Sequence, residues 1–281
     1  MPTVESVTQF IEHIQGLPRR ATSIHCFRGQ RNHEWIDDPA LLRKPAELLP
    51  YEYNSVRDLV AVHPQEFYQD ENMFDRLVRM QHYGLPTRLM DVTTNPLVAL
   101  YFATEPYRST NREVRGRVII YDVPKIRRKY YDSDSVSCVA NLANLSDDEK
   151  QQLLENEHLE LEDFNDLPAS DRLVQFIRSE KPHFRKELKP LDLSRAYYVV
   201  PKMQNRRIIA QHGSFIIFGL KIKRLKNSKS DEYAISKSII DIPQGLKAVI
   251  RRQLDQLGIN NSALFPDLNH AALDIVRKYT Q

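Results

Sequence analysis

The sequence predicts an α+β fold in which a small split or antiparallel sheet is flanked by helices. Short β-prone segments begin near residues 23, 117, 196, 214 and 237. Segments with the apolar spacing of helices separate them, without regular βαβ alternation. The chain has 281 residues, of which 41% are hydrophobic and 27% charged, so it is long enough to bury an ordinary core. A single domain over residues 1–281 is the simplest organisation.

The first half of the chain predicts helices and strands in turn. The predicted helices are 3–16, 55–62, 73–83 and 96–104, and the predicted strands are 23–29, 87–93 and 117–123. Asn95 and Pro96 predict a helix start, because asparagine caps free backbone N–H groups and proline suits the first helical position. Gly84 and Pro86 predict the end of the preceding helix. The first strand would deliver Arg28 to its end.

The second half predicts a helical insertion into a β core. Ser146 with Glu149 three residues later predicts a capping box at the first of two helices between residues 146 and 187. Later strands are predicted at 196–200, 214–220 and 237–242, a turn or short helix at 205–213, and helices at 244–257 and 267–279. The core is thus predicted at about 20–125 and 193–245, the insertion at about 126–192 and C-terminal helices at about 243–281. We expect the insertion to lie over or beside a cleft.

Composition excludes several classes of protein. No apolar run approaches the roughly 18 to 20 residues that cross a bilayer, so no membrane segment is predicted. The first residues, MPTVESVTQFIEH, lack the basic start and apolar core of a secretory signal, which predicts a cytoplasmic protein. Cys26 and Cys138 have no CxxC neighbour, so neither a disulfide framework nor a cysteine zinc site is expected. We expect no metal.

Charge is nearly balanced but unevenly distributed. A net charge of +3 is too small to predict a nucleic-acid-binding protein from bulk electrostatics. Residues 193–230 contain no acidic residue and nine basic ones, whereas Lys150 is the only basic residue within 147–171. The basic stretch is either a cationic site for a phosphate-bearing ligand or a solvated surface.

Three segments carry polar residues and glycine at predicted strand or helix ends, where binding sites tend to lie. They are 27–30 (FRGQ), 81–95 (QHYGLPTRLMDVTTN) and 206–215 (RRIIAQHGSF). Arginine offers a rigid donor fork for phosphate or carboxylate, and an adjacent glycine lets a ligand approach the backbone. Structural explanations also exist: Arg28 would pair with Asp91, His82 would be a satisfied helix-end histidine, and Gln211 a strand-end hydrogen bonder.

The same segments, together with 258–268 (GINNSALFPDL), resemble the FRG domain family, which is named for its Phe-Arg-Gly motif. The resemblance is dense from about residue 20 to 220 and has its most specific motif at 81–104. It leaves the activity open. Members of this family occur in bacterial and phage genomes, some near defence genes, so the resemblance implies a role in antiphage defence or as a toxin.

A more distant resemblance implies chemistry. The order of an aromatic-Arg-Gly strand end, a Thr-rich strand end before a helix with Ala-x-x-Phe-Ala, and a late strand with a polar residue is similar to the signature of ADP-ribosyltransferases. This resemblance implies NAD as substrate, held by Arg28 and a Thr93–Thr94 pocket, with Gln211 where the family has a glutamate. The implied catalytic residues are Arg28, Asp91 and Gln211, and the implied nucleotide-binding residues are Arg28, Gly29, Gln30, His82, Thr87, Arg88, Thr93 and Thr94.

Two other functions stay open. A non-catalytic module would use the same cleft to sense a nucleotide or a phage protein. A nuclease would use the basic residues from Arg195 to Lys229 for backbone contacts, with His82, Asp91 and His212 as acid, base or metal ligands. For a transferase, the acceptor would be a protein or a nucleic acid, and the sequence does not distinguish them.

Overall fold

The architecture is a seven-stranded mixed sheet flanked by helices, so the α+β prediction is confirmed. A computed structural model describes residues 2–18, 20–43, 48–109, 112–221 and 233–267, together with residues 272, 276 and 279. The strands are β1 (Ser23–Gln30), β2 (Leu89–Thr93), β3 (Arg108–Ser109), β4 (Arg112–Glu113), β5 (Gly116–Pro124), β6 (Arg128–Tyr130), β7 (Ala196–Val200), β8 (Gly213–Phe218) and β9 (Ser236–Ile242).

Helices cover the sheet and fill the insertion. They are α1 (Val7–Gln15), α2 (Glu52–Val62), α3 (Met73–His82), α4 (Pro96–Ala103), α5 (Asp134–Asn141), α6 (Asp147–Glu155), α7 (Leu161–Asn165), α8 (Pro168–Glu180), α9 (Pro190–Ser194), α10 (Arg206–Ala210), α11 (Lys247–Gln256) and α12 (Asn261–Leu264). The predicted caps are present: Asn95 accepts from the Leu97 N–H, and Ser146 and Glu149 form a capping box. Most of the helix predicted at 267–279 lies outside the described residues. No helix in the described ranges has the length and apolar character needed to cross a bilayer.

The main sheet has the strand order β6-β7-β8-β2-β1-β5-β9. All neighbours pair antiparallel except β6 and β7, which are parallel. The sheet is therefore larger and more mixed than the sequence predicts. β6 was not predicted because its residues, Arg-Lys-Tyr, show no alternation of apolar and polar side chains. β3 and β4 form a separate two-stranded ribbon.

A seam divides the sheet between β1 and β2. These two strands share one register pair, Phe27 with Thr93, whereas β1 pairs with β5 from Ser23 to Gln30 and β2 pairs with β8 along its whole length. The sheet thus consists of two well-paired parts, β9-β5-β1 and β2-β8-β7-β6, that meet at one point.

Two groups of helices pack on one face of the sheet, on either side of the seam. Because directly paired residues point to the same face, Phe27 and Thr93 share a face, and so does Leu89, four residues before Thr93. On this face α1, α4 and α11 bury β1, β5 and β9, while α3, α5 and α8 bury β2, β8 and β7. A cleft over the seam is left between the two groups.

Two glycines let α4 lie directly on the sheet. A Cβ atom on Gly29 would lie 1.9 Å from the Ala99 carbonyl oxygen, and one on Gly116 would lie 1.9 Å from the Ala103 carbonyl oxygen. Neither clash involves a movable side chain, so both positions require glycine for helix-on-strand packing. The close approach predicted beside Gly29 is therefore made by the backbone of α4 on the side where a Cβ atom would lie.

A buried group of three charges joins the insertion to the sheet. Arg88 donates to both carboxylate oxygens of Glu52, with its Nε 2.8 Å from Oε1, and to the Phe218 carbonyl at 2.9 Å. Lys150 of α6 places its Nζ 2.9 Å from Glu52 Oε2. Burial raises the pKa of Glu52, but the charges and hydrogen bonds of Arg88 and Lys150 outweigh it and hold that pKa below its ordinary value. Burial lowers the pKa of Lys150.

Replacing Glu52 with glutamine should strongly destabilise the fold. The Glu52→Gln substitution leaves Arg88 and Lys150 buried without their counter-charge, so we expect the free energy of unfolding to fall by about 3–5 kcal/mol. The contribution of Glu52 is present above its ordinary pKa of 4.5 and is lost as the pH falls through its lower folded value. Urea denaturation at pH 7 measures the effect.

The matched control is Asp58→Asn on the same helix, because Asp58 is exposed. This variant should stay within about 0.5 kcal/mol of the parent protein. Equal effects of the two substitutions would contradict the role given to the buried charges.

Candidate functional site

A cavity of about 250 Å³ lies over the seam, and all three polar segments singled out in the sequence reach it. The first contributes Phe27, Arg28 and Gly29, and the second contributes Gln81, His82, Asp91, Val92 and Thr93. The third contributes Arg207, Ile208, Gln211, Gly213, Ser214 and Phe215, and Asn205 directly before it also lines the cavity. Val98 and Phe102 of α4 add an apolar side. The fold thus brings segments from three distant parts of the sequence to one place.

Arg28 spans the seam. Its Nη1 donates to the main-chain carbonyl of Asp91 on the opposite strand. The expected pairing of Arg28 with Asp91 therefore occurs through the backbone, and the described residues give no ion pair between the two side chains. Arg28 Nε is buried and has no hydrogen-bond partner among the described residues. A buried donor without a partner is costly, so this atom is a candidate ligand contact.

The Asp91 carboxylate is held by a chain of hydrogen bonds. The Leu89 N–H donates to Thr87 Oγ1 at 3.1 Å, and the Thr87 hydroxyl donates to Gln81 Oε1 at 2.6 Å. The amide orientation of Gln81 is then fixed, because its Nε2 donates to Asp91 Oδ2 at 2.8 Å. Asp91 is otherwise exposed to the cavity, so one carboxylate oxygen remains free to meet a ligand.

His82 lies at the end of α3 on the rim of the cavity. The largest effect on its pKa is burial, which lowers the pKa, and the positive charge of Arg207 lowers it further. The ring is therefore neutral at pH 7 and offers one donor and one acceptor nitrogen. Tyr83 packs edge-on against it, with ring centroids 5.2 Å apart.

The Thr93 hydroxyl is used inside the protein. It donates to the Gln211 carbonyl at 2.7 Å and accepts from the Asn95 N–H at 3.0 Å. The next residue, Thr94, is exposed outside the lining, and its N–H donates to the His212 carbonyl at 3.1 Å. His212 has φ +47°, a left-handed conformation that is uncommon for a residue other than glycine, and it also lies outside the lining. These contacts hold the third segment against β2.

A C-terminal segment, residues 260–267, forms one wall next to the cavity. Gln211 donates from Nε2 to the Leu264 carbonyl at 3.0 Å. Phe265 packs edge-on against Phe102, with ring centroids 6.1 Å apart, and the Arg207 guanidinium carbon lies 4.9 Å from the Phe265 ring centroid. Residues of the predicted tail motif therefore contact three side chains that line the cavity.

Several predicted site residues lie outside the lining. Gln30 is buried and accepts from Arg117 Nε at 2.7 Å. Thr87 acts through Gln81, and Arg88 is fully engaged with Glu52 and Phe218. Each is a buried polar group whose partners are protein atoms, which explains why it is absent from the cavity. The insertion also contributes no described residue to the lining, since it packs against α3.

Four polar residues of the cavity were not chosen as site residues from the sequence: Gln81, Asn205, Arg207 and Ser214. Asn205 directly precedes the third polar segment and the other three belong to the polar segments, but nothing in the sequence distinguished them from their neighbours. Among the described residues, no three His, Cys, Asp or Glu side chains are grouped so that they could hold a metal ion. Of the nuclease candidates, His82 and Asp91 line the cavity and His212 does not.

The Thr93 hydroxyl should be important for stability. Thr93→Val keeps the shape of the side chain but leaves the Gln211 carbonyl and the Asn95 N–H without their partner. We expect the free energy of unfolding to fall by about 1–3 kcal/mol. Thr94→Val is the neighbouring control, because the Thr94 hydroxyl is exposed and makes only a 3.5 Å contact to the His212 carbonyl. Denaturation curves that rank Thr94→Val as the more damaging change would contradict this assignment.

Sequence comparisons bear on the first part of the chain. The FRG domain model matches residues 23–112, about a third of the 281 residues. The matched range contains the first two polar segments, whereas the resemblance at 207–215 and 258–268 lies outside it. Neither a search of curated proteins nor a search of solved structures found a match. Residues 23–112 are therefore similar to the FRG domain, a designation that by itself specifies no activity.

Proposed function

We propose that the protein is an ADP-ribosyltransferase-like enzyme that binds NAD in the cavity over the seam and cleaves its bond to nicotinamide. The supporting observation is the convergence of the three segments that resemble the ADP-ribosyltransferase signature. Arg28, Thr93 and Gln211, one residue from each segment, all line this cavity. The biological setting implied by the resemblance, antiphage defence or toxicity, belongs to the same proposal.

The cavity is suited to one end of NAD. Its volume of about 250 Å³ is below the range of about 300–1,000 Å³ that is usual for drug-sized ligands. We assign the nicotinamide and its ribose to the cavity, between the apolar side of Val98 and Phe102 and the polar side of Asp91. The remainder of the dinucleotide would extend past Arg28, whose free Nε is a donor for a phosphate or ribose oxygen.

Asp91 is the residue to which we assign charge stabilisation. When the glycosidic bond breaks, nicotinamide leaves with the bonding electron pair and positive charge develops on the ribose. A carboxylate stabilises that charge better than an amide. Gln211 is an amide and its NH2 group is bound to Leu264, whereas Asp91 presents a carboxylate that Gln81 holds in place. An acceptor nucleophile then forms a bond to the ribose carbon, and its proton passes to solvent water.

One observation favours a second candidate, a nucleotide-sensing module without chemistry. Gln211, in the third polar segment, has a neutral side chain that connects the cavity to the C-terminal segment through its hydrogen bond to the Leu264 carbonyl. A ligand that displaces this amide would disturb the C-terminal segment without being cleaved. Measuring both the binding of NAD and the release of nicotinamide separates the two functions, because a sensor binds NAD and leaves it intact.

Binding of NAD should depend on Arg28. We expect NAD to raise the melting temperature and Arg28→Ala to lower the affinity by about 10-fold or more, since a hydrogen bond to a charged group contributes about 1.5–3 kcal/mol. Isothermal titration calorimetry measures the affinity, and circular dichroism checks that the variant is folded. Arg76→Ala, at an exposed position on α3, is the control and should bind as the parent does. Absence of any NAD binding by the parent protein would refute the proposal.

Cleavage should depend on Asp91. Asp91→Asn keeps the shape and the contact to Gln81 but removes the negative charge, so we expect nicotinamide release to slow by about 10²–10³-fold. The affinity for NAD should change much less. Chromatography of free nicotinamide measures the rate, with Asp58→Asn as the charge-matched control. Unchanged release from the Asp91→Asn variant would remove Asp91 from the mechanism.

A further inference from the structure

We propose that Arg207 is the second cationic contact of the site and that, together with Arg28, it binds the diphosphate of a dinucleotide-type ligand. This inference rests on the proposed function for the identity of the ligand, but its test does not depend on catalysis. Arg207 belongs to α10 and lines the same cavity as Arg28 of β1, and the sequence marked it only as one of nine basic residues within 193–230.

Arg207 stands apart from the other basic residues of the 193–230 stretch. Arg195 pairs with Asp192 at 3.5 Å, Lys202 pairs with Asp75 at 3.1 Å and with Glu71, and Lys221 pairs with Glu157. Arg206 is exposed. Residues 222–232, which include Lys223, Arg224, Lys226 and Lys229, lie outside the described residues. Within the described part of the stretch, Arg207 is the cation that lines the cavity.

The Arg207 guanidinium has no hydrogen bond or ion pair with the described residues, and its contact is the face of Phe265 at 4.9 Å. The N–H donors of a guanidinium lie in its plane. The contact with the Phe265 ring supports the group and uses no oxygen acceptor, so the guanidinium keeps its N–H donors for a ligand. Phe265 is itself held against Phe102, so Arg207 is supported by a packed side chain.

The charges of the cavity favour an anion. Arg28 and Arg207 are cations, Asp91 is the carboxylate among the lining residues, and His82 is neutral at pH 7 because its pKa is lowered. No ion pair joins Asp91 to either arginine in the described structure. Each arginine therefore retains N–H groups for a ligand, and a diphosphate has oxygens enough to accept from both.

The test measures binding of inorganic pyrophosphate and of ADP-ribose to the full chain by calorimetry. We expect Arg207→Ala to weaken both ligands by about 10-fold or more. Arg206→Ala removes the same charge from the preceding residue on the same helix and should change either affinity by less than about 2-fold. Phe265→Ala should weaken binding by about 2- to 5-fold, since it removes the support and not the charge. Arg207→Gln, which keeps much of the length of the side chain, replaces Arg207→Ala if that variant does not fold.

The outcomes separate this inference from the proposed function. If pyrophosphate and ADP-ribose bind through Arg207 but nicotinamide is never released from NAD, the assignment of Arg207 stands and the enzymatic proposal fails. If NAD is cleaved and the Arg207 variants bind ADP-ribose as the parent does, the assignment is wrong and the enzyme remains. Failure of the parent protein to bind either probe, or equal losses in Arg206→Ala and Arg207→Ala, also overturns the assignment.

Discussion

The seam between β1 and β2 is the constraint on which the rest of the molecule depends. Beyond the single Phe27–Thr93 pair the two strands diverge, and backbone groups that diverge from a sheet need other partners. Arg28 Nη1 donates to the Asp91 carbonyl across the seam, and the Thr93 hydroxyl, at the paired position, donates to the Gln211 carbonyl just before β8. Side chains at the seam therefore also line the cavity that lies over it.

Arg88 and Arg28 both lie in polar segments of the sequence, but the hydrogen bonds of their guanidinium groups differ. Arg88 is buried and directs Nε, Nη1 and Nη2 to Glu52 and Phe218, so each of its three nitrogens has a partner inside the protein. Arg28 uses Nη1 and keeps a buried Nε without a partner. A complete set of protein partners is typical of a structural arginine, and an incomplete set in a cavity is typical of a binding residue.

The sequence predicted well those features that depend on neighbouring residues. Alternation predicted β5, and the Asn95 and Ser146 caps predicted the starts of α4 and α6. The sequence alone could not predict which polar residues are buried. Thr87 and Arg88 share a polar segment with Asp91, but only the fold places Glu52 beside Arg88. Lys150, the lone cation of an acidic stretch, was a signal of that buried group, yet its partner is almost a hundred residues away.

The C-terminal segment, residues 260–267, explains why residue 211 is an amide and not a carboxylate. Its Nε2 donates to the Leu264 carbonyl, and that contact joins α10 to the segment that carries Phe265. A glutamate here would place an ionised carboxylate, which accepts only, against a carbonyl oxygen. The wall would lose its hydrogen bond, and Phe265 would lose one of the contacts that position it against Arg207. Under the proposed function the carboxylate therefore comes from elsewhere in the chain, and Asp91 on β2 is the carboxylate among the described residues that line the cavity.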